Sequence, residues 1–163
     1  MPKSFKAAVA ALAVATLGAA LYNWFAFADE RRVQKVLREL EGRISQPSGA
    51  GLDMALAGAA LKPLLAPDVD VTVLRDGREW RRRFGRDELL RAILSAKRRN
   101  PGFAVGFDFS RRDVKLVGGG AATVVVNVRV ENLGEPVEPQ RLTFALSKSG
   151  EGDWRLDSIG RAP

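Results

Sequence analysis

The chain is 163 residues long, 46% hydrophobic and 28% charged, which are the proportions of one folded globular domain and not of a disordered chain. Lysine and arginine total 26 against 19 acids, and the resulting net charge of +7 favours contact with anionic surfaces. Cysteine and histidine are both absent, which excludes disulfides, thiol nucleophiles, a Ser-His-Asp triad and the usual zinc sites, and leaves carboxylates, lysine or water for any proton transfer.

The N-terminal segment, residues 1–28, contains no acid and is predicted to be a targeting or anchoring segment. Lys3 and Lys6 precede an uncharged, apolar run over residues 7–28. A helix of that length would span a hydrocarbon core of about 30 Å. Aromatic residues near its far end are typical of a membrane interface; they are Tyr22, Trp24, Phe25 and Phe27. The run therefore predicts a single-pass membrane anchor.

The same segment leaves export open as an alternative. Ala26-Phe27-Ala28 has the pattern of a signal-peptide cleavage site, directly before Asp29. Against cleavage, the apolar run is longer than usual, and Trp24 and Phe25 crowd the site. The basic leader favours an N-terminus inside. We therefore expect the domain outside the cytoplasm, either anchored or released after cleavage following Ala28.

Two helices are predicted after the leader. Apolar residues recur at helical spacing between residues 29 and 45, from Val33 to Ile44, with charged residues on the other face. A Pro/Gly/Ser break over residues 45–51 separates this helix from a second one over residues 52–65, where Pro63 must lie near the end.

After Pro67 the period changes and predicts a β-hairpin, then a third helix. Valines alternate with other residues over 69–74, and Asp76-Gly77 is a tight-turn signal. A helix over residues 86–99 should end at Asn100-Pro101-Gly102. The return strand of the hairpin should place three residues on one face: Trp80, Arg82 and Phe84.

The remainder of the chain is rich in predicted strands. Apolar and polar residues alternate in four segments, which are separated by glycine-rich turns. Strands with one apolar face, covered by helices on that face, define an α+β fold with a curved antiparallel sheet. The four segments are residues 103–109, 122–131, 141–146 and 154–161.

Two short motifs carry a family resemblance. Asp68-Val69-Asp70-Val71 enters the first strand, and Gly152-Asp153-Trp154-Arg155-Leu156-Asp157-Ser158-Ile159 resembles the closing strand of many nuclear-transport-factor-2-like proteins, a superfamily that includes SnoaL-like members. The resemblance covers residues 29–163. It implies a sheet wrapped around a cavity, with about three helices packed on it, and frequent dimers through the sheet. Members include cofactor-free isomerases, dehydratases and hydrolases, and also membrane-tethered assembly modules.

The chain is therefore expected to divide into a leader, residues 1–28, and one α+β domain, residues 29–163. The leader makes the chain look most like the tethered members of the superfamily. We expect a non-catalytic, membrane-tethered binding or assembly domain that contacts a protein, a second copy of itself through the sheet, or a small apolar ligand. The alternative is a cofactor-free isomerase, dehydratase or hydrolase. No cofactor or metal is expected, and nucleic acid is not an expected partner.

Two aspartates on predicted strands are candidates for a general base in the enzymatic alternative. Asp70 lies on the first strand, and Asp108 lies between Phe107 and Phe109. A carboxylate facing a dry cavity would have a raised pKa and could accept a proton. Strand alternation, however, directs Asp108 away from the phenylalanines, so it could equally be solvated.

Aromatic and basic residues supply the remaining candidates. Four aromatic side chains are candidates to line a ligand pocket: Trp80, Phe84, Phe107 and Trp154. Four arginines form the basic cluster, a candidate site for phosphate or lipid headgroups: Arg78, Arg81, Arg83 and Arg86. The structural interpretation is that these arginines only discourage pairing at a strand edge. Alternation also predicts that the cluster does not form one surface.

Overall fold

The computed structural model describes residues 3–47 and 51–163, apart from the side chains of residues 3–12 and 22–26. Helices dominate its first part and strands its second. The elements in chain order are α1 (Lys3–Ser45), α2 (Leu52–Leu61), a 3-10 helix (Lys62–Leu64), β1 (Leu65–Arg75), β2 (Arg78–Gly85), α3 (Arg86–Arg99), β3 (Ala104–Asp108), a second 3-10 helix (Arg111–Asp113), β4 (Val114–Val117), β5 (Ala121–Glu131), β6 (Gln140–Lys148) and β7 (Trp154–Arg161).

The strands form one curved, unclosed sheet in the order β2-β1-β7-β6-β5-β3, with β4 beside β5. Neighbouring strands run antiparallel except β1 and β7, which are parallel, so the sheet is mixed. The prediction of a wholly antiparallel sheet was wrong at this pair. Alternation along a strand reports which residues share a face, but not which strand lies beside it.

The helices confirm the predicted α+β class but differ from the sequence expectation in number and extent. α3 has the predicted bounds, 86–99. α2 ends at Leu61, because Pro63 falls in the 3-10 helix that follows it. α1 is one continuous helix from Lys3 to Ser45, where the sequence predicted an apolar helix followed by a separate one. With the 3-10 helices added, the domain has more helical elements than the three predicted.

The C-terminal half of α1 packs on the inner face of the sheet and supplies much of the core. Val33 and Leu37 are fully buried, and Leu40 is nearly so. They belong to the same apolar cluster as Val124 and Val126 of β5, which are also fully buried. The predicted apolar stripe of the helix and the predicted apolar face of the strand therefore meet, as helices and sheets pack in this class.

Polar side chains of α1 seal the free edge of β3. Ser45 Oγ accepts a hydrogen bond from the Val105 amide at 2.9 Å and donates one to the Val105 carbonyl at 2.8 Å. Glu41 accepts from the Phe107 amide at 2.8 Å, and Arg38 donates to the Phe107 carbonyl at 2.6 Å. Backbone groups that would stand open at the edge of the sheet are thus paired within the chain.

Candidate functional site

The β1–β2 hairpin has the register that its two-residue turn dictates. Asp76 and Gly77 both have positive φ, 51° and 74°, as a tight hairpin turn requires. Counting back from the turn places Asp70 opposite Arg83 and Val73 opposite Trp80. Since successive side chains alternate, Trp80, Arg82 and Phe84 face the same side as the core valines, and Arg81 and Arg83 face outward. The predicted division of these residues between two faces is confirmed.

Asp70, the first candidate base, is tied to Arg83. The Arg83 guanidinium donates to both carboxylate oxygens of Asp70, at 3.0 and 3.1 Å. The side chain of Asp70 is 35% exposed and that of Arg83 is 69% exposed. The hydrogen bond from Arg83 lowers the pKa of Asp70, and the charges of Arg83 and Arg81 add to the effect. A base that works near neutral pH needs the opposite shift. Asp70 therefore serves as the ion-pair partner of Arg83, and its lowered pKa does not suit a general base.

Asp108, the second candidate base, is exposed, and its strand partner is Asn127. The preceding residue, Phe107, points into the core and is 7% exposed. The alternation predicted from the sequence is thus present, and it places the carboxylate of Asp108 in solvent. Neither candidate aspartate is enclosed in a dry cavity, the environment that the enzymatic alternative requires.

The four candidate pocket aromatics fall into separate places. Trp80 and Phe84 lie together, with ring centroids 6.0 Å apart. Phe107 packs edge-on against Phe144 in the core, with centroids 5.2 Å apart. Trp154 is 4% exposed, belongs to the same core cluster and borders an open groove of about 540 Å³. That groove lies between α1 and the β6–β7 turn, and its lining includes Arg32, Lys35, Glu39, Pro63 and Asp153.

The members of the basic cluster do not share one surface, as alternation predicted. Arg81 and Arg83 face outward together, whereas Arg78 lies on the Trp80 side, opposite Arg75 near the hairpin turn. Arg86 is half-buried at the start of α3, where it donates to the Leu65 carbonyl at 3.5 Å. Arg78, Arg81 and Arg83 are all exposed on β2, and Arg83 is paired with Asp70.

Salt bridges clamp the part of α1 where the helix meets the domain. Asp29 accepts from Lys148 Nζ at 3.1 Å and from the Trp154 indole at 3.3 Å. Glu30 accepts from Arg111 at 2.9 Å, and that guanidinium stacks over the Phe27 ring at 3.8 Å from its centroid. The two acids that directly follow the predicted cleavage position are therefore both bound to the body of the domain.

The part of α1 before this clamp is uncovered. Every residue from 13 to 21 is exposed, including Val14 at 73% and Leu17 at 66%. Considering only the residues that the structure describes, none of the helices has the length and hydropathy of a membrane-spanning segment. The predicted run 7–28 includes positions whose side chains lie outside the described set.

Lys97 is buried, which the sequence pattern did not predict. The sequence placed it at the end of α3, where a cation meets the helix dipole. It is 3% exposed, and its Nζ donates to the carbonyls of Gln46 at 2.6 Å and Arg43 at 3.2 Å. Lys97 therefore caps the C-terminus of α1, a different helix. Burial lowers the pKa of Lys97, because loss of water penalises the ammonium form.

Replacing Lys97 with methionine is expected to reduce the free energy of unfolding by about 1–3 kcal/mol, because buried helix carbonyls lose a charged donor. Between the lowered pKa and the ordinary value of 10.5, the unfolded chain binds this proton more tightly than the folded chain. The stability that Lys97 contributes therefore rises with pH in that window. The difference in free energy of unfolding between wild type and K97M should widen as the pH rises. Urea unfolding at neutral and alkaline pH tests this, with K115M at an exposed lysine as control; a gap that does not change with pH would contradict it.

The fold defined by this geometry is the nuclear-transport-factor-2-like fold, and structural comparison confirms the resemblance. A cystatin-like domain from Nostoc punctiforme superposes with a TM-score of 0.56 at 18% identity, covering 83% of this chain and 78% of that one. A nuclear-transport-factor-2-like protein from Pseudomonas aeruginosa gives a TM-score of 0.55 at 18% identity, covering 82% and 95%. Both are described as having unknown function.

A third similar structure is described as a proposed dehydratase of the same fold family, from Streptomyces avermitilis. It gives a TM-score of 0.54 at 18% identity and covers 82% of this chain and 94% of that one. No protein-family model matches the chain, and no curated protein matches it significantly in sequence. Within the described residues, no group of three or more acidic side chains is arranged to hold a metal ion. At these identities the comparisons establish the fold alone.

Proposed function

We propose that this chain is a non-catalytic, membrane-tethered binding or assembly domain that contacts a protein or a small apolar ligand. The observation that carries the proposal is the uncovered stretch of α1, residues 13–21, which has no charged residue, has Thr16 as its one polar side chain, and is exposed throughout. A helix that is apolar all round is stable only where an apolar environment surrounds it. A bilayer supplies that environment, and the domain does not.

The clamp at the base of the helix favours a retained anchor over a cleaved leader. α1 continues without a break through Ala26-Phe27-Ala28, and Asp29 and Glu30 are both bound to the domain. Cleavage after Ala28 would remove the Phe27 ring on which Arg111 stacks. The continuous helix would also hold the domain at a defined orientation to the bilayer, which suits a module that assembles with other proteins there.

The candidate bases favour binding over catalysis. Arg83 pairs with Asp70 and lowers its pKa, and Asp108 is exposed, so neither carboxylate is enclosed in an apolar cavity as a general base would need to be. The alternative, a cofactor-free isomerase, dehydratase or hydrolase, draws support from the similar structure described as a proposed dehydratase. That alternative requires a carboxylate other than these two, enclosed with the substrate.

The tether is tested by fractionating the native host and measuring the mass of the protein. We expect the full-length mass in the membrane fraction, resistant to alkaline carbonate. Changing Val14 and Leu17 to arginine should release the protein, because each arginine at the centre of a spanning helix costs about 2.5–3.5 kcal/mol. Leu133→Arg, at an apolar residue exposed on the domain itself, is the matched control and should leave the protein in the membrane.

Two results would overturn the proposal. A soluble species that begins at Asp29 would show a cleaved leader and a free exported domain. Turnover of a small apolar substrate that survives the double variant D70N/D108N would establish catalysis by a group other than these two aspartates, and would favour the enzymatic alternative.

A further inference from the structure

Two edge strands of the sheet, β3 and β2, differ in whether their backbone groups are paired. β3 lies at one edge with β4, and side chains of α1 pair the backbone groups of β3 at Val105 and Phe107. β2 forms the other edge, with eight residues from Arg78 to Gly85. Among the described residues, no hydrogen bond reaches the outer edge of β2. Such an edge is a template on which another extended segment can pair.

The side chains of β2 disfavour pairing with a second copy of itself. Arg78 and the run Arg81-Arg82-Arg83 are exposed on this strand, against a single acid, Glu79. Two copies of β2 aligned edge to edge would place arginines opposite or diagonal to arginines, which is destabilising. The same charges attract an acidic strand. The edge of β2 therefore disfavours a second copy of β2 and favours an acidic segment.

We propose that the outer edge of β2 accepts an extended, acidic segment of a protein partner as an added strand. The inference deepens the proposed binding function and rests on it, because it names the chemistry of the partner. The segment would alternate in character, with acidic side chains on the outer face beside Arg81 and Arg83. Apolar side chains on its inner face would lie beside the half-buried Trp80 and Phe84.

Backbone pairing and side chains have different roles in this contact. Hydrogen bonds to the open edge give affinity, and the alternating faces give specificity. Arg83 already pairs with Asp70, and Arg82 with Glu88, so both are partly neutralised. Arg81 carries the charge recognition, because it lies on the outer face and the structure shows it in no ion pair within the described residues.

The test uses the full chain in detergent micelles and a fluorescent peptide of four Glu-Val repeats. Fluorescence anisotropy should show saturable binding, with empty micelles as the blank. A Lys-Val peptide of equal length should bind at least tenfold more weakly, because its charge is reversed. A Glu-Val peptide with an N-methyl group on every residue, which keeps every charge but can donate no backbone hydrogen bond to the edge, should also lose at least tenfold.

A variant pair locates the contact on the protein. Arg81→Glu should weaken binding by about fivefold to tenfold, since an attraction at an exposed site becomes a repulsion. Arg112→Glu makes the same change at an exposed arginine outside β2 and should have little effect. Arg81 is exposed and opposite Thr72, so its replacement should leave the thermal unfolding temperature unchanged.

Each remaining outcome overturns the inference. Equal binding of the N-methylated peptide would mean that charge alone attracts the peptide. Equal weakening by R112E would place the contact elsewhere, and a concentration-dependent dimer lost in R81E would make a second copy the occupant. None of these results alters the membrane fractionation, so failure of this inference is distinguishable from failure of the tether.

Discussion

Replacing Trp154 with alanine is expected to lower the free energy of unfolding by about 3–5 kcal/mol, the range for deleting a buried aromatic side chain. Trp154 starts β7, which lies between β1 and β6 in the sheet, and it is 4% exposed in the core cluster. Its indole N–H also donates to Asp29 at 3.3 Å, where α1 enters the domain. Alanine would leave a cavity and weaken this attachment of α1.

Two controls separate the cavity from the hydrogen bond. Trp154→Phe keeps most of the packing but removes the donor to Asp29, so it should cost less, about 1–2 kcal/mol. Trp80→Ala removes the same side chain from a half-buried position on the edge strand β2 and should also cost less. Guanidinium unfolding followed by circular dichroism measures all three. A W154A variant no less stable than W80A would contradict the position of Trp154 in the core.

The faces of individual elements could be predicted from sequence alone. The apolar face of β5 appears in the sequence as valine at every second position, and Val124 and Val126 are fully buried. The two-residue turn Asp76-Gly77 also determines the register of its hairpin. Counting outward from it places Asp70 opposite Arg83. Alternation alone leaves Asp70 as a candidate base, whereas counting from the turn identifies Arg83 as its partner.

Contacts between distant elements could not be predicted in this way. The parallel pairing of β1 with β7 depends on which strands become neighbours, and residue alternation carries no such information. Lys97 donates hydrogen bonds to carbonyl groups that lie 54 and 51 residues away in the sequence. Its burial therefore depends on how α3 packs against the end of α1. The pairing of Ser45 with Val105 spans 60 residues and likewise follows from packing rather than from local pattern.

The joint replacement of Arg38, Glu41 and Ser45 with alanine is expected to remove about 2–5 kcal/mol from the free energy of unfolding. The triple variant leaves the amides and carbonyls of Val105 and Phe107 without their partners. Alanine is a strong helix former, so α1 itself should persist. The loss therefore reports the edge of the sheet rather than the helix.

The control for this variant lies on the same helix. Lys35→Ala with Glu39→Ala removes two exposed charged side chains that make no bond to β3 in the described structure, and it should change stability by less than about 0.5 kcal/mol. Chemical unfolding compares the two variants. A triple variant as stable as this control would show that water satisfies the β3 edge as well as α1 does.

Opening the β3 edge should also change how copies of the chain interact. In the described residues of the wild type, β2 is an open edge, and its arginines oppose pairing with another β2. The triple variant would open β3 as well, an edge of different character, and β3 of one copy could pair with β2 of the next. Such head-to-tail contact does not close on itself, so growing oligomers are expected rather than dimers. Light scattering that rises with concentration in the triple variant, and falls again when Arg81 is changed to proline to block the β2 edge, would show that the side chains of α1 keep β3 from pairing with β2 of another copy.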